Sequence, residues 1–95
     1  FGLGSAYQVA GDDNRAAEFF LRALEERPNA HWVHRNLCAA FFGAGRRDEA
    51  LSSAKKLMQV HPNMTVKRFK EAMVFSSSVL DRIGDQMTAL GIPEG

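Results

Sequence analysis

The sequence contains a single cysteine, Cys38, so no disulfide can form within the chain. Small proteins of oxidising compartments commonly depend on several disulfides, and the cysteine count therefore favours a reducing, cytoplasmic location. No apolar run approaches the roughly 18–20 residues that a membrane-spanning helix requires. A basic and apolar leader followed by a cleavage site is also missing, so the pattern indicates neither export nor a membrane partner.

The chain also lacks an excess of charge of either sign, since 12 basic and 11 acidic residues leave a formal net charge of +1. Basic pairs such as Arg46-Arg47 and Lys55-Lys56 are interleaved with acidic residues, as on a solvated helix face. We therefore predict no nucleic-acid partner. A glycine-rich phosphate loop is not indicated either, because Gly43-Ala44-Gly45 lacks the preceding strand that such a loop needs.

What the sequence does contain is an internal repeat. The pairs Pro28-Asn29 and Pro62-Asn63 lie 34 residues apart. A fixed offset that matches small, aromatic and helix-breaking residues indicates stacked helical repeats. The matched pairs are Leu3 with Leu37, Tyr7 with Phe41, Gly11 with Gly45 and Ala16 with Ala50.

Apolar spacing predicts helices over about residues 1–10, 12–27, 30–43 and 47–60, with a glycine turn inside each pair and a proline after it. Asp12 or Asp13 is expected to cap the second helix and Asn29 the third. The first two pairs, over residues 1–62, are therefore expected to form two antiparallel hairpins.

Beyond Asn63 the offset no longer matches, although the helical spacing persists. Thr65 is expected to cap a fifth helix, the run Ser76-Ser77-Ser78 to end it, and a sixth helix to stop at Gly91. Terminal units of a helical array are commonly atypical, so residues 63–95 are predicted to form a capping pair. The predicted fold is an all-α, right-handed α-solenoid of antiparallel helix pairs.

The repeated residues resemble the tetratricopeptide repeat (TPR). In the second copy His34 replaces the usual Trp, Cys38 a small residue, Ala54 an aromatic and Leu57 an alanine. The resemblance implies a scaffold that binds a protein or peptide, with the first helix of each pair lining a concave groove. The matching residues are Leu3, Gly4, Tyr7, Gly11, Ala16, Phe20, Ala23 and Pro28, then Leu37, Phe41, Gly45, Ala50 and Pro62.

A narrower resemblance is to the C-terminal TPR segment of bacterial signalling proteins with an adenylate/guanylate cyclase-like or DNA-binding domain upstream. It lies in the stretches 32–37, 45–50, 65–69 and 90–94. It implies that the output domain lies elsewhere and that this segment is not an enzyme. The chain does not resemble the clamp with which some TPRs hold chaperone C-termini, because Phe1, Ser5 and Val66 occupy expected clamp positions.

The helix predicted over residues 30–43 has a second apolar stripe formed by Trp32, Arg35, Ala39 and Phe42. Aromatic residues and arginine are common anchors of interfaces, so this stripe is predicted to face the groove. The alternative is that neighbouring helices cover Trp32 and Phe42. The complete set of groove candidates is Ser5, Gln8, Trp32, Arg35, Asn36, Ala39, Phe42, Phe69 and Met73.

Two further functions stay open from the sequence. Phe1, Tyr7 and Phe20 of the incomplete first hairpin would favour homodimerisation if they are uncovered. An enzyme fragment is the remote alternative, and no converging carboxylates or paired nucleophile and base support it. His34 and Cys38 lie one helical turn apart but at positions expected inside the hairpin, so we predict no metal site, cofactor or catalytic residue.

Overall fold

A computed structural model of the protein describes residues 2–73 and 75–95. Within these ranges all regular structure is helical, which confirms the all-α prediction. A short 3₁₀ turn over His31–Val33 precedes the third helix. The helices are α1 (Gly2–Val9), α2 (Asp13–Glu26), α3 (His34–Gly43), α4 (Arg47–Val60), α5 (Val66–Ala72) and α6 (Ser77–Ala89).

Glycines end three of the helices as predicted. Gly11, Gly45 and Gly91 follow α1, α3 and α6 with φ angles of 85°, 78° and 90°. Side chains with a Cβ rarely adopt this left-handed region, and glycine enters it at little cost. The chain can therefore reverse within a few residues after α1 and α3, and α1–α2 and α3–α4 pack as hairpins.

Two of the predicted helix caps are present. The Asp12 carboxylate accepts a hydrogen bond from the Arg15 backbone N–H at 3.3 Å. The Thr65 hydroxyl accepts one from the Arg68 backbone N–H at 3.1 Å. Each bond satisfies a donor that the first turn of a helix leaves without a carbonyl partner.

Two local predictions were wrong. Asn29 caps no helix, because tight turns joining Ala30 N–H to the Arg27 carbonyl and Val33 N–H to the Ala30 carbonyl delay the start of α3 to His34. The serine run does not end the fifth helix, since α5 already ends at Ala72, and α6 begins at Ser77 within the run. Serine favours helix starts as well as breaks, and here the run initiates α6.

The first hairpin closes through one glycine and one aromatic ring. Phe20 of α2 is fully buried against Gly4 of α1, where a Cβ would lie only 2.7 Å from the Phe20 ring. Tyr7 stacks on Phe19 with 5.5 Å between ring centroids. Alanines at 16, 17 and 50 are also fully buried, and their small side chains let neighbouring backbones approach closely.

The C-terminal helices depart from the pattern of the first four. α6 packs against both α3 and α5. The segment after α6 returns to the start of α5, where Val66 N–H donates to the Pro93 carbonyl at 2.8 Å and Lys67 N–H to the Glu94 carbonyl at 2.9 Å. These bonds satisfy first-turn donors of α5 and fasten it to the segment that follows α6. Within the described ranges, no helix has the length and apolar character needed to cross a bilayer.

Candidate partner-binding surface

The predicted groove depends on one face of the 3₁₀ turn and of α3, formed by Trp32 in the turn and by Arg35, Ala39 and Phe42 in the helix. We call it the α3 outer face. The structure divides it into two halves. Trp32 is 47% exposed and Arg35 is half-buried, whereas Ala39 is fully buried and Phe42 is half-buried. The expected stripe is therefore most exposed at its N-terminal end. We call Trp32 and Arg35 the open half of the α3 outer face.

Helix α6 packs on α3 toward the C-terminal half of this face. A Cβ on Gly43 would lie 2.7 Å from Gln86 Nε2 of α6 and would overlap the Asp13 carboxylate. Ala39 lies one helical turn before Gly43 on the same side of α3. Arg82 of α6 also donates a hydrogen bond to the backbone carbonyl of Gln8. The alternative that neighbouring helices cover both Trp32 and Phe42 fails for Trp32, which is 47% exposed, while Phe42 is half-buried.

Gln8 and Asn36 belong to the interior. Both side chains are fully buried and bond reciprocally. The Gln8 amide donates to the Asn36 backbone carbonyl at 3.0 Å, and the Asn36 amide donates to Gln8 Oε1 at 3.0 Å. A buried polar group avoids a large desolvation cost only when it is bonded in this way. This pair joins α1 to α3, and the expectation that it lines an open groove is corrected.

The remaining groove candidates include both buried and partly exposed residues. Phe69 is fully buried and, with Ala39, is corrected from groove residue to core residue. Ser5 and Met73 are half-buried. Of the candidates, Trp32 presents the most exposed large apolar side chain, because α6 lies toward the other end of α3.

A cleft between α3 and α5 adjoins the open half. Its volume is about 550 Å³, and part of its floor is the fully buried Phe69. Trp32 borders a second cavity of about 410 Å³, between the end of α2 and the start of α3. The lining residues of the first cleft are Arg35, Met64, Arg68, Phe69, Glu71 and Ala72.

Arg35 has an unusual electrostatic position in this cleft. Its Nε is buried without a hydrogen-bond acceptor, and Arg35 forms no ion pair within the described residues. Burial lowers the pKa of the Arg35 guanidinium. Arginine remains charged in proteins even so, because its ordinary pKa is far above neutrality. The cleft therefore holds a cation whose hydrogen-bonding capacity is incompletely used.

The contact between α6 and the rest of the fold also contains unpaired polar atoms. Asp13 Oδ1, Arg82 Nε and Gln86 Oε1 are buried without partners. Burial raises the pKa of the Asp13 carboxyl, although the charge of Arg82 and a hydrogen bond from Gln86 act in the opposite direction. Each unsatisfied buried group costs about 1–3 kcal/mol, so α6 docks less favourably than a purely apolar helix would.

His34 and Cys38 lie inside the second hairpin. His34 Nδ1 is 2.8 Å from the Ser53 hydroxyl, and both side chains are buried. Burial raises the pKa of the Cys38 thiol to about 12, so the thiol stays protonated and is a poor nucleophile. In the described part of the chain, no three His, Cys, Asp or Glu side chains cluster at metal-binding spacing.

The residues expected to form a dimer contact are placed differently. Phe20 is fully buried, so it is a core residue and not part of an exposed dimer contact. Tyr7 is half-buried and stacks on Phe19. Phe1 lies outside the described residues. The exposed apolar residues of α1 are instead Leu3, at 61% exposure, and Val9.

Sequence reasoning missed the position of α6. The only signal was indirect: the offset fails after Asn63, so nothing required the last helix to extend the array. Comparison with protein-family models, with curated proteins and with solved structures finds no match to this chain.

Proposed function

We propose that this chain is a protein-interaction module of TPR type, acting in a larger cytoplasmic signalling protein. Its two hairpins, over residues 1–62, would be repeats of a right-handed α-solenoid, with residues 63–95 as a capping pair. The bacterial cyclase-like resemblance suggests the class of parent protein. We propose that its partner is a protein or peptide and that any catalytic domain lies elsewhere. The 34-residue offset supports the repeat assignment.

The observation that carries this proposal is the open half of the α3 face. Trp32 is 47% exposed, and the Arg35 cleft lies on the same side of the helix, since the two residues are three positions apart. An exposed tryptophan beside a partly desolvated arginine combines the two residue types most enriched among interface anchors. The partner would contact this half without displacing α6.

Affinity capture from the native cytosol tests the proposal. We expect Trp32→Ala to lower recovery of the partner at least about tenfold, because interface anchors contribute about 2 kcal/mol or more. Leu51→Ala on α4 is the matched control, since Leu51 is 44% exposed but lies on another helix. Equal recovery by both variants, with unchanged circular dichroism, would remove the open half from the binding site.

Homodimerisation is a second candidate, supported by the exposed Leu3 and Val9 on α1. The offset pairs Leu3 with Leu37, which is buried in the second hairpin where α2 packs on α3. The same kind of face is therefore uncovered on α1 and covered on α3. Sedimentation over a concentration series decides this candidate, and a monomer at every concentration would exclude it.

A further inference from the structure

We propose that the cleft between α3 and α5 recognises an acidic side chain of the partner, with Arg35 as the principal contact and Arg68 as the second. This inference rests on the proposed function and specifies the chemistry of the ligand: a peptide segment in which a carboxylate adjoins an apolar residue. The proposal follows from three features of the cleft, which are its unpaired guanidinium, its balance of charge and its apolar floor.

The guanidinium of Arg35 is the first feature. Five N–H donors project from a planar fork, and burial without an acceptor leaves Nε unsatisfied. A carboxylate bound in the cleft can supply the counter-charge that the half-buried Arg35 guanidinium lacks within the described residues. Such charge-assisted bonds are roughly twice as strong as neutral ones, and a guanidinium can donate two parallel hydrogen bonds to the oxygens of one carboxylate.

Charge balance at the cleft also favours an anion. Arg35 and Arg68 both line it, and Glu71 is the only acidic residue among the lining side chains. Glu71 forms no ion pair with either arginine in the part of the chain that the structure describes. Arg68 is exposed and on α5, so it can approach a ligand held by Arg35 from the opposite side.

The floor of the cleft specifies what lies beside the carboxylate. Met64 and Ala72 contribute accessible apolar surface, whereas Phe69 is fully buried. A flexible methionine side chain next to an aromatic ring adapts to apolar side chains of different shape. The surface therefore suits a peptide carrying both an acidic and an apolar residue better than a small inorganic anion, which would leave the floor unoccupied.

The direct test is a titration of the folded chain with a short capped peptide of glutamate, leucine and serine. A control peptide has glutamine in place of each glutamate. The protein contains one tryptophan, and Trp32 lies one helical turn from Arg35, so its fluorescence reports binding without a label. We expect the glutamate peptide to bind at least about tenfold more tightly than the glutamine peptide.

Matched variants locate the contact. Arg35→Gln is expected to abolish the preference for the glutamate peptide, and Arg68→Gln is expected to reduce it. Arg22→Gln on α2 is the control, because it removes one positive charge outside the cleft and should leave the preference for glutamate unchanged. Arg68 is exposed, so its replacement keeps the test decisive even if Arg35→Gln fails to fold. Equal affinity for the two peptides, or a preference that survives both cleft variants, overturns the proposal.

Two further outcomes identify the source of failure. If inorganic phosphate at matched ionic strength displaces the glutamate peptide at equal concentration, the cleft binds anions in general and the peptide assignment falls. If Arg35→Gln and Arg68→Gln still capture the cytosolic partner as well as the unmodified chain does, protein binding stands and the acidic-peptide inference alone is wrong.

Discussion

The two halves of the α3 outer face carry similar residues but have different neighbours. Near the start of the helix, Trp32 projects into solvent; near its end, Ala39 is fully buried and Gly43 lies against α6. Residue spacing alone would assign both halves to one surface. Exposure of a helix face is therefore decided by which other helix packs on it, and here the packing of α6 on α3 leaves Trp32 as the most exposed residue of the face.

The largest loss of stability is expected from a substitution in α6, the helix that packs on one half of the α3 outer face. Ile83 of α6 is fully buried, so Ile83→Ala should lower the free energy of unfolding by about 2–5 kcal/mol through lost burial and a residual cavity. Trp32→Ala, in the open half, should cost no more than about 1 kcal/mol. Urea denaturation measures both. Similar losses for the two variants would mean that the halves are equally buried in solution.

The next effect concerns the polar pair beneath the covered half. Gln8→Ala should cost about 1–3 kcal/mol, because the buried Asn36 amide loses its side-chain acceptor. A double-mutant cycle with Asn36→Ala should show coupling of about 0.5–3 kcal/mol, since neither residue has its full set of bonds alone. Additive losses would show that the two side-chain amides do not bond to each other.

The smallest effect tests the electrostatics of the α6 contact through pH. The pKa of Asp13 is raised in the folded state, so the native protein holds this proton more tightly than the unfolded chain does. The resulting stabilisation is present at low pH and is lost as pH rises above about 4 and through the folded-state pKa. Asp13→Asn should remove this component of the pH dependence of unfolding.

The groups that face Asp13 are Arg82 and Gln86 of α6 and the neighbouring Asp12. Asp48→Asn is the control, because Asp48 is likewise an aspartate in the first turn of a helix but lies in α4 and is exposed. An unfolding free energy whose pH dependence is the same in Asp13→Asn as in the unmodified chain would show that this carboxyl is solvated, and hence that α6 does not cover it.

Local structure was largely predictable from the sequence. The bounds of α4 match the expected 47–60, and the Thr65 cap and the glycines after α1, α3 and α6 are where spacing and composition placed them. These features depend on residues within a few positions of each other. Steric limits on φ and unpaired donors in the first turn act over that range, so a single sequence contains the necessary information.

The docking of α6 and the interior location of Gln8 and Asn36 could not be predicted in that way. A polar residue at a helical position looks the same in sequence whether it bonds to water or to another buried amide 28 residues away. Likewise the apolar stripe of α6 shows that one side is buried but not against which helix. Both questions concern packing between residues far apart in the chain. The internal repeat does not extend to α6, so the sequence contains no second example of this contact from which to infer it.

The return of the chain to α5 has a practical consequence for any experiment on this surface. The backbone carbonyls of Pro93 and Glu94 accept hydrogen bonds from the first turn of α5. Helix α6 lies between α5 and these acceptors along the chain. Shortening the polypeptide after Gly91 would delete both acceptors and loosen the α5–α6 pair as a unit. Such a truncation would also remove the buried Ile92, so it would change the exposure of α3 without altering a residue of α3.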